Sequence, residues 1–196
     1  MTVIVVTGIQ AAGKSTIAQA LAERMDRSVH VRGDVFRRMI VNGRADMGAA
    51  DPSAEAVRQL KLRYALAAQA ADGYADAGFT VVLQDIIIGR HLAGTMAAIR
   101  NRPLYLVVLA PRADVAQARE DARRLARGKV AYKPGDLDAA ERDAAFRRET
   151  PQLGLWLDTS GQTVTETVEE ILARLWAEGE IRDLPGRGAP DRITDG

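Results

Sequence analysis

Residues 8–16 read Gly-Ile-Gln-Ala-Ala-Gly-Lys-Ser-Thr, so Gly8, Gly13, Lys14 and Ser15 fill the pattern G-x-x-x-x-G-K-[ST]. These residue types suit a phosphate chain. Glycines let backbone N–H groups curl around phosphate oxygens with no Cβ in the way, the lysine adds a point charge, and the serine hydroxyl can ligate Mg²⁺. Five β-prone residues, Val3 to Thr7, come before the turn, and Ile17, Ala18 and Leu21 fall on one helical face after it. A helix starting at Lys14 would aim its partial positive charge at the same anion. A plain glycine turn would need the glycines but not the lysine and serine. Four fixed positions arise by chance in a chain of this size well under about one time in a hundred. Gly8, Ala11, Ala12, Gly13, Lys14, Ser15 and Thr16 are therefore expected to hold a nucleotide.

A nucleotide pocket needs an acceptor for its phosphate, and His30-Val-Arg-Gly-Asp-Val-Phe-Arg-Arg-Met-Ile40 offers a place for one. In open parallel sheets ligands bind beyond the carboxyl ends of the strands, and Asp34 lies beyond a short strand at Val29–Val31. A carboxylate there can take a hydroxyl proton as general base. Arg37, one helical turn on, can orient the acceptor or the base, and Phe36 can supply an apolar wall. Asp34 can equally cap the helix that begins at Val35. Asp85 ends the apolar run Thr80–Gln84 as an acid that could hold Mg²⁺ through water or touch the substrate. The sequence leaves open which of Asp34 and Asp85 is the base. Arg119, Arg123 and Arg127 recur every four residues and share a helical face, either as phosphate ligands or as a solvated face laced by pairs such as Glu120 with Arg124.

The elements that must position these groups alternate between strand and helix. Strands are expected at Val3–Thr7, Val29–Val31, Phe79–Leu83, Leu104–Leu109 and Leu155–Leu157. Helices are expected from Lys14 to Arg24, after Gly33, from Ser53 to Ala77, over Arg90–Arg100, Asp114–Arg127 and Asp136–Glu149, and from Thr163 onward. Ser53 can cap the long helix, with Val57, Leu60, Tyr64, Ala67, Ala71 and Tyr74 as its buried stripe. Thr163 and Glu166 have capping-box spacing. Such alternation implies one α/β domain with a parallel sheet covered on both faces, over about residues 1–178, and an aperiodic tail over 179–196. The 196 residues carry a formal net charge of +1 and no cysteine, which argues against a nucleic-acid coat, a disulfide framework and a thiolate metal site. With no apolar run long enough for a membrane span and no signal-peptide layout, a cytoplasmic protein is expected. His30, His91, Trp156 and Trp176 read as structural residues.

Gly8–Thr16 together with Gly33-Asp34-x-x-Arg37 resembles the P-loop small-molecule kinases, and the chain from about Thr2 to Leu175 is most similar to the chloramphenicol phosphotransferase-like group. The resemblance implies a three-layer α/β sandwich whose five-stranded parallel sheet has the order 2-3-1-4-5. It also implies a helical lid over about 119–140, in which Arg119, Arg123, Arg127 and Lys133 approach the phosphates, and Asp34 as base with Lys14, Arg37 and Arg123 in catalysis. The loop at Thr159 and Ser160 would pass the adenine. ATP and Mg²⁺ are the implied cofactors, and a small hydroxylated compound, such as one of antibiotic type, is the implied acceptor. The acceptor cavity is expected between Asp34, the Phe36–Ile40 helix, the 42–52 loop and the long helix, with Met39, Met47 and Tyr64 among its walls.

The Asp-x-x-Arg pair also occurs in polynucleotide 5′-kinases, zeta-toxin-type sugar-nucleotide kinases and adenylylsulfate kinases. Arg32, Arg37, Arg38 and Arg44 suit a nucleic-acid end, but no aromatic stacking platform accompanies them. The lid lacks the adenylylsulfate kinase lid sequence. A nucleotide-dependent switch ATPase is the alternative outside the kinases, although no guanine-reading Asn-Lys-x-Asp is present.

Overall fold

The computed structural model describes residues 1–47, 52–126 and 139–182. Five strands, β1 (Val3–Gly8), β2 (Ser28–Arg32), β3 (Thr80–Gln84), β4 (Leu104–Leu109) and β5 (Leu155–Leu157), form one sheet in the order β2-β3-β1-β4-β5. Every pairing between them is parallel. The described helices are α1 (Lys14–Glu23), α2 (Asp34–Arg38), α3 (Ala54–Asp76), α4 (His91–Ala98), α5 (Ala113–Ala126), α6 (Ala139–Glu149) and α7 (Val164–Glu178). Sheet and strand order agree with the sequence expectation.

Because successive side chains on a strand point to opposite faces, the parity of a residue decides which helices it meets. Val3 and Val5 of β1, with Val81 and Leu83 of β3, pack beneath α3, α4 and α6. Ile4, Val6 and Val82 pack beneath α1 and α7. The central strands β1 and β4 are buried along their whole length, as a strand covered on both faces must be.

Both expected caps are present. The Ser53 hydroxyl accepts from the Ala56 N–H, and Thr163 and Glu166 form a reciprocal capping box on α7. The buried stripe of α3 runs through Tyr64, Ala67, Ala68, Ala71 and Ala75, not through Tyr74, which turns outward and meets Phe79 edge-on. Tyr74, three residues after Ala71, lies at the edge of that stripe and is half-exposed. Trp176 is likewise not core; it is 47 % exposed, with its ring edge-on to Tyr105. Trp156 stacks on Phe146 as an interior ring should.

The stretch after Gly179 does not fray at once. Leu106 N–H donates to Gly179 O and Ile181 N–H to Leu104 O, so residues 179–181 run along β4 where the three-residue β5 does not reach. The expected tail from residue 183 onward lies outside the described residues.

Asp72 of α3 is a buried acid that helical periodicity does not announce. Its carboxylate accepts from the Arg100 and Asn101 backbone N–H groups and from Asn101 Nδ2, each at 3.0 Å, tying α3 to the turn that leads into β4. Burial pushes its carboxyl up, but the Asn101 and Arg100 hydrogen bonds outweigh this and hold it below the usual carboxylate range. Its contribution is therefore present above the ordinary carboxylate pKa and lost as pH falls through the lowered one. Asp72→Ala should destabilise the fold by about 2–4 kcal/mol, read as a lower denaturation midpoint at neutral pH with an unchanged slope.

Candidate active site

The loop between β1 and α1 has the backbone of an anion cradle. Gly8, Ala11 and Gly13 adopt φ of 143°, 61° and 90°, and Gly13 caps α1. A Cβ on Gly8 would stand 2.3 Å from Leu109 O, so only glycine fits between this loop and β4. Lys14 folds into the cradle, buried, with its Nζ donating to Ile9 O at 2.6 Å. Burial, followed by the charges of Arg123 and Arg63, pushes its ammonium down to about 7. A lysine held so far below its ordinary value is short of negative charge, and a triphosphate would supply it.

Ser15 Oγ donates to Gln84 Oε1 at 3.0 Å, which makes the last residue of β3, not Asp85, the partner of the serine. Strand parity explains why. Gln84 shares the α1 face with Val82, whereas Asp85 continues the α3 face of Val81 and Leu83. Asp85 is fully buried, and its carboxylate is taken by Arg63 of α3 through Nε at 2.7 Å and through Nη2. Its Oδ1 also accepts the Ile86 N–H. Asp85, expected as a metal or substrate ligand, is thus engaged by Arg63 in this structure. A Cβ on Gly33 would fall 2.1 Å from Asp85 Oδ2, so Gly33 makes room for the pair. The Arg63 side chain is itself largely buried and lies within electrostatic reach of Asp34, Arg37 and Lys14.

Asp34 opens α2 just beyond β2. Its Oδ2 is held by Arg38 at 2.7 Å, while Oδ1 is buried without a hydrogen-bond partner. The expected orienting partner, Arg37, instead pairs with Asp46. On a helix, i+4 is as near as i+3, and the loop that carries Asp46 draws Arg37 away.

At the other end of the cradle a cavity of about 260 Å³ is lined by Ala12, Gly13, Thr16, Arg119, Thr159 and Gln162, among others. Arg119 donates to Thr159 O at 2.9 Å, and the buried Thr159 hydroxyl has no partner. Ser160 is engaged elsewhere, since its hydroxyl donates to Asp158 and accepts the Arg112 N–H. Arg123 is ion-paired with Glu120, a buried acid that also accepts from Gln10 of the loop and from Arg124. Arg127 and Lys133 lie outside the described residues.

The residues expected to wall an acceptor cavity do not all line one space. Tyr64 is buried, its hydroxyl donating to Ile86 O, Phe36 packs against the core, and Met39 is exposed. Of these walls only Met47 lines the large cavity, of about 940 Å³, which opens between the 86–91 loop and helices α5 and α6. His91 lines it too, against the Tyr64 ring. Thr7 positions the loop by bonding both Ile87 O and Ile87 N, and Gly89 N–H bonds Thr150 Oγ1.

A five-stranded parallel sheet in this order, with a glycine-lysine cradle after its first strand, defines a P-loop kinase fold. The chain belongs to the AAA domain family, whose profile matches residues 3–151. No curated protein matches the sequence. Among solved structures, an unliganded sugar kinase from Janibacter sp. HTCC2649 superposes with a TM-score of 0.63 at 19 % identity, over 88 % of this chain and 93 % of that one. The tunicamycin resistance protein of Deinococcus radiodurans gives 0.62 at 16 % identity, over 93 % and 99 %. A gluconokinase from Sinorhizobium meliloti 1021 gives 0.56 at 17 % identity, over 88 % and 90 %. At such identities the likeness concerns the fold. No described helix is long and apolar enough to cross a membrane, and no described cluster of three or more His, Cys, Asp or Glu could hold a metal.

Proposed function

We propose that this protein is an ATP-dependent phosphotransferase acting on a hydroxyl of a small molecule, with Asp34 as general base. The observation that carries the reading is the Asp34 carboxylate: one oxygen anchored by Arg38, the other buried and unpartnered at the carboxyl end of β2. The cradle suits a triphosphate through its left-handed backbone, the helix N-terminus and the buried Lys14, and the Arg119–Thr159 cavity suits the base. When bound, ATP with its magnesium ion supplies an electrophilic phosphoryl group with part of its charge already neutralised. Ser15 Oγ and Gln84 Oε1 offer oxygens on the cation side of the cradle. Asp34 Oδ1 takes the acceptor's proton, and Arg123, whose charge already reaches Lys14, leaves Glu120 to neutralise phosphate oxygens.

The sugar kinase, gluconokinase and antibiotic-resistance protein among the structural neighbours all support a small acceptor, and an antibiotic-type alcohol is one such class. The test is an ATP-consumption screen across sugars and sugar acids, hydroxylated antibiotics, nucleosides and oligonucleotide 5′ ends, followed by product mass. A small-molecule product heavier by one phosphate is expected. Transfer confined to oligonucleotide ends, or ATP hydrolysis with no acceptor phosphorylated, would overturn the reading.

A further inference from the structure

The transfer just proposed leaves one largely buried cation unused. Arg63 extends from α3 with its side chain 13 % exposed, and Asp85 takes two corners of its fork, Nε at 2.7 Å and Nη2. No described residue accepts from the third corner, Nη1, which is not fully buried either. A fork clamped on two nitrogens is rigid, so the direction of its remaining donor is fixed before any ligand arrives.

The sheet order decides where that donor stands. β3 lies between β2 and β1, so the residues that follow it stand between Asp34, which follows β2, and the cradle, which follows β1. Contacts on both sides hold this placement. Gly33, the neighbour of Asp34, packs on the Asp85 carboxylate and donates its N–H to Gln84 O at 2.9 Å. On the other side, Gln84 accepts from Ser15, the neighbour of Lys14, and Asp85 N–H donates to Val6 O of β1. Burial pulls the Arg63 guanidinium below its ordinary value, with Tyr64 and Asp34 opposing and Arg37 adding to the effect, and its charge reaches Lys14. A phosphoryl group passing in line from the cradle to an alcohol at Asp34 must cross the gap that Arg63 borders.

We propose that Arg63 is a catalytic residue whose Nη1 donates to an oxygen of the phosphoryl group in transit, and that Asp85 is the positioning residue that aims it. The proposal rests on the phosphotransferase reading. The acceptor O–H gives its proton to Asp34 Oδ1, the acceptor oxygen bonds to phosphorus, and the bond from phosphorus to the ADP oxygen breaks. Arg63 keeps its proton throughout. It acts from α3, whereas Arg119 and Arg123 belong to α5. A lysine could pair with Asp85 but could not span both partners from its single nitrogen.

The test uses ADP and magnesium with and without aluminium fluoride, a mimic of the phosphoryl group in transit, on the full-length protein. Wild type is compared with Arg63→Lys and with the double variant Arg63→Gln/Asp85→Asn. The first keeps a cation on the buried acid and the second leaves no buried charge, so misfolding of one leaves the other informative. Thermal midpoints identify the folded variants. Aluminium fluoride should tighten ADP binding by the wild type, and this gain should shrink by about tenfold or more in either folded variant. Affinity for ADP alone should stay within about threefold, because the contact belongs to the transferring group. With an identified acceptor, kcat should fall by about 10²-fold while the acceptor KM changes less than threefold. A merely structural pair would move the thermal midpoint and leave the fluoride gain intact.

An undiminished gain in a folded variant would overturn the role of Arg63 and leave the phosphotransferase reading standing. An Arg63-dependent gain in a protein that hydrolyses ATP and phosphorylates no acceptor would instead remove the phosphotransferase reading, with Arg63 still placed on the phosphoryl group. No gain in the wild type would overturn the role of Arg63 whatever the acceptor screen returns.

Discussion

Asp34→Asn is expected to lower phosphoryl transfer by about 10³-fold while leaving ATP-analogue affinity within about twofold. Asparagine keeps the shape of the side chain and can still accept from Arg38 through its carbonyl oxygen. It replaces the unpartnered Oδ1 with a group that has no basic lone pair for a proton. The loss should therefore fall on kcat, with the fold and the cradle intact. Single-turnover kinetics with a saturating acceptor would check this. Retained turnover would remove Asp34 from the base role, and Asp85 could not replace it without first giving up Arg63, which holds both of its oxygens.

The second large effect concerns Lys14. Its ammonium sits at about 7 in the nucleotide-free protein, against an ordinary value of 10.5, chiefly because it is buried. Triphosphate oxygens would restore the charge, so near pH 8.5 ATP binding should take up close to one proton. Calorimetric titration in buffers of different ionisation enthalpy measures that uptake directly. In Lys14→Met the uptake should vanish and affinity should fall by roughly 10–100-fold. Stability carries the same linkage with a defined sign. Between about pH 7 and 10.5 the unfolded chain binds more protons than the folded one, so the stability of the nucleotide-free protein rises with pH across that window. Lys14→Met should flatten this rise. Binding without proton uptake by the wild type would show that the lysine is already charged in its cradle.

Much of this arrangement was legible in the sequence because it rests on local rules. Strand-helix alternation led to the parallel sheet, and glycine spacing led to the cradle whose left-handed residues are seen at Ala11 and Gly13. Ser53 and Thr163 were readable as caps because a cap is a contact between residues three apart. Gln84 was missed, although strand parity could have found it: Val81 and Leu83 face α3, so Asp85 must as well, and the residue before it faces Ser15. The pairing of Arg37 with Asp46 and of Arg38 with Asp34 was not legible, since spacing alone cannot choose between i+3 and i+4 when a loop residue competes. The large cavity was illegible for a different reason. It is enclosed by segments from the cradle, the 42–47 stretch, the 86–91 loop, α5 and α6, and no periodicity along one element reports a space between five. Buried Glu120 belongs with it, because only the fold brings Gln10 to that acid.

The brevity of β5 has a practical consequence. With only Leu155–Leu157 beside it, the lower half of β4 would present free backbone groups on a strand that is apolar throughout, an open template for another chain. Gly179 and Ile181 close that template, and Ile181 buries its side chain in doing so. A protein shortened to residue 178 should thus tend to self-associate through its sheet, whereas one ending at Arg182 should stay monodisperse at the same concentration. The three residues after the last helix act as a selvedge, finishing a cloth that the strands alone leave raw.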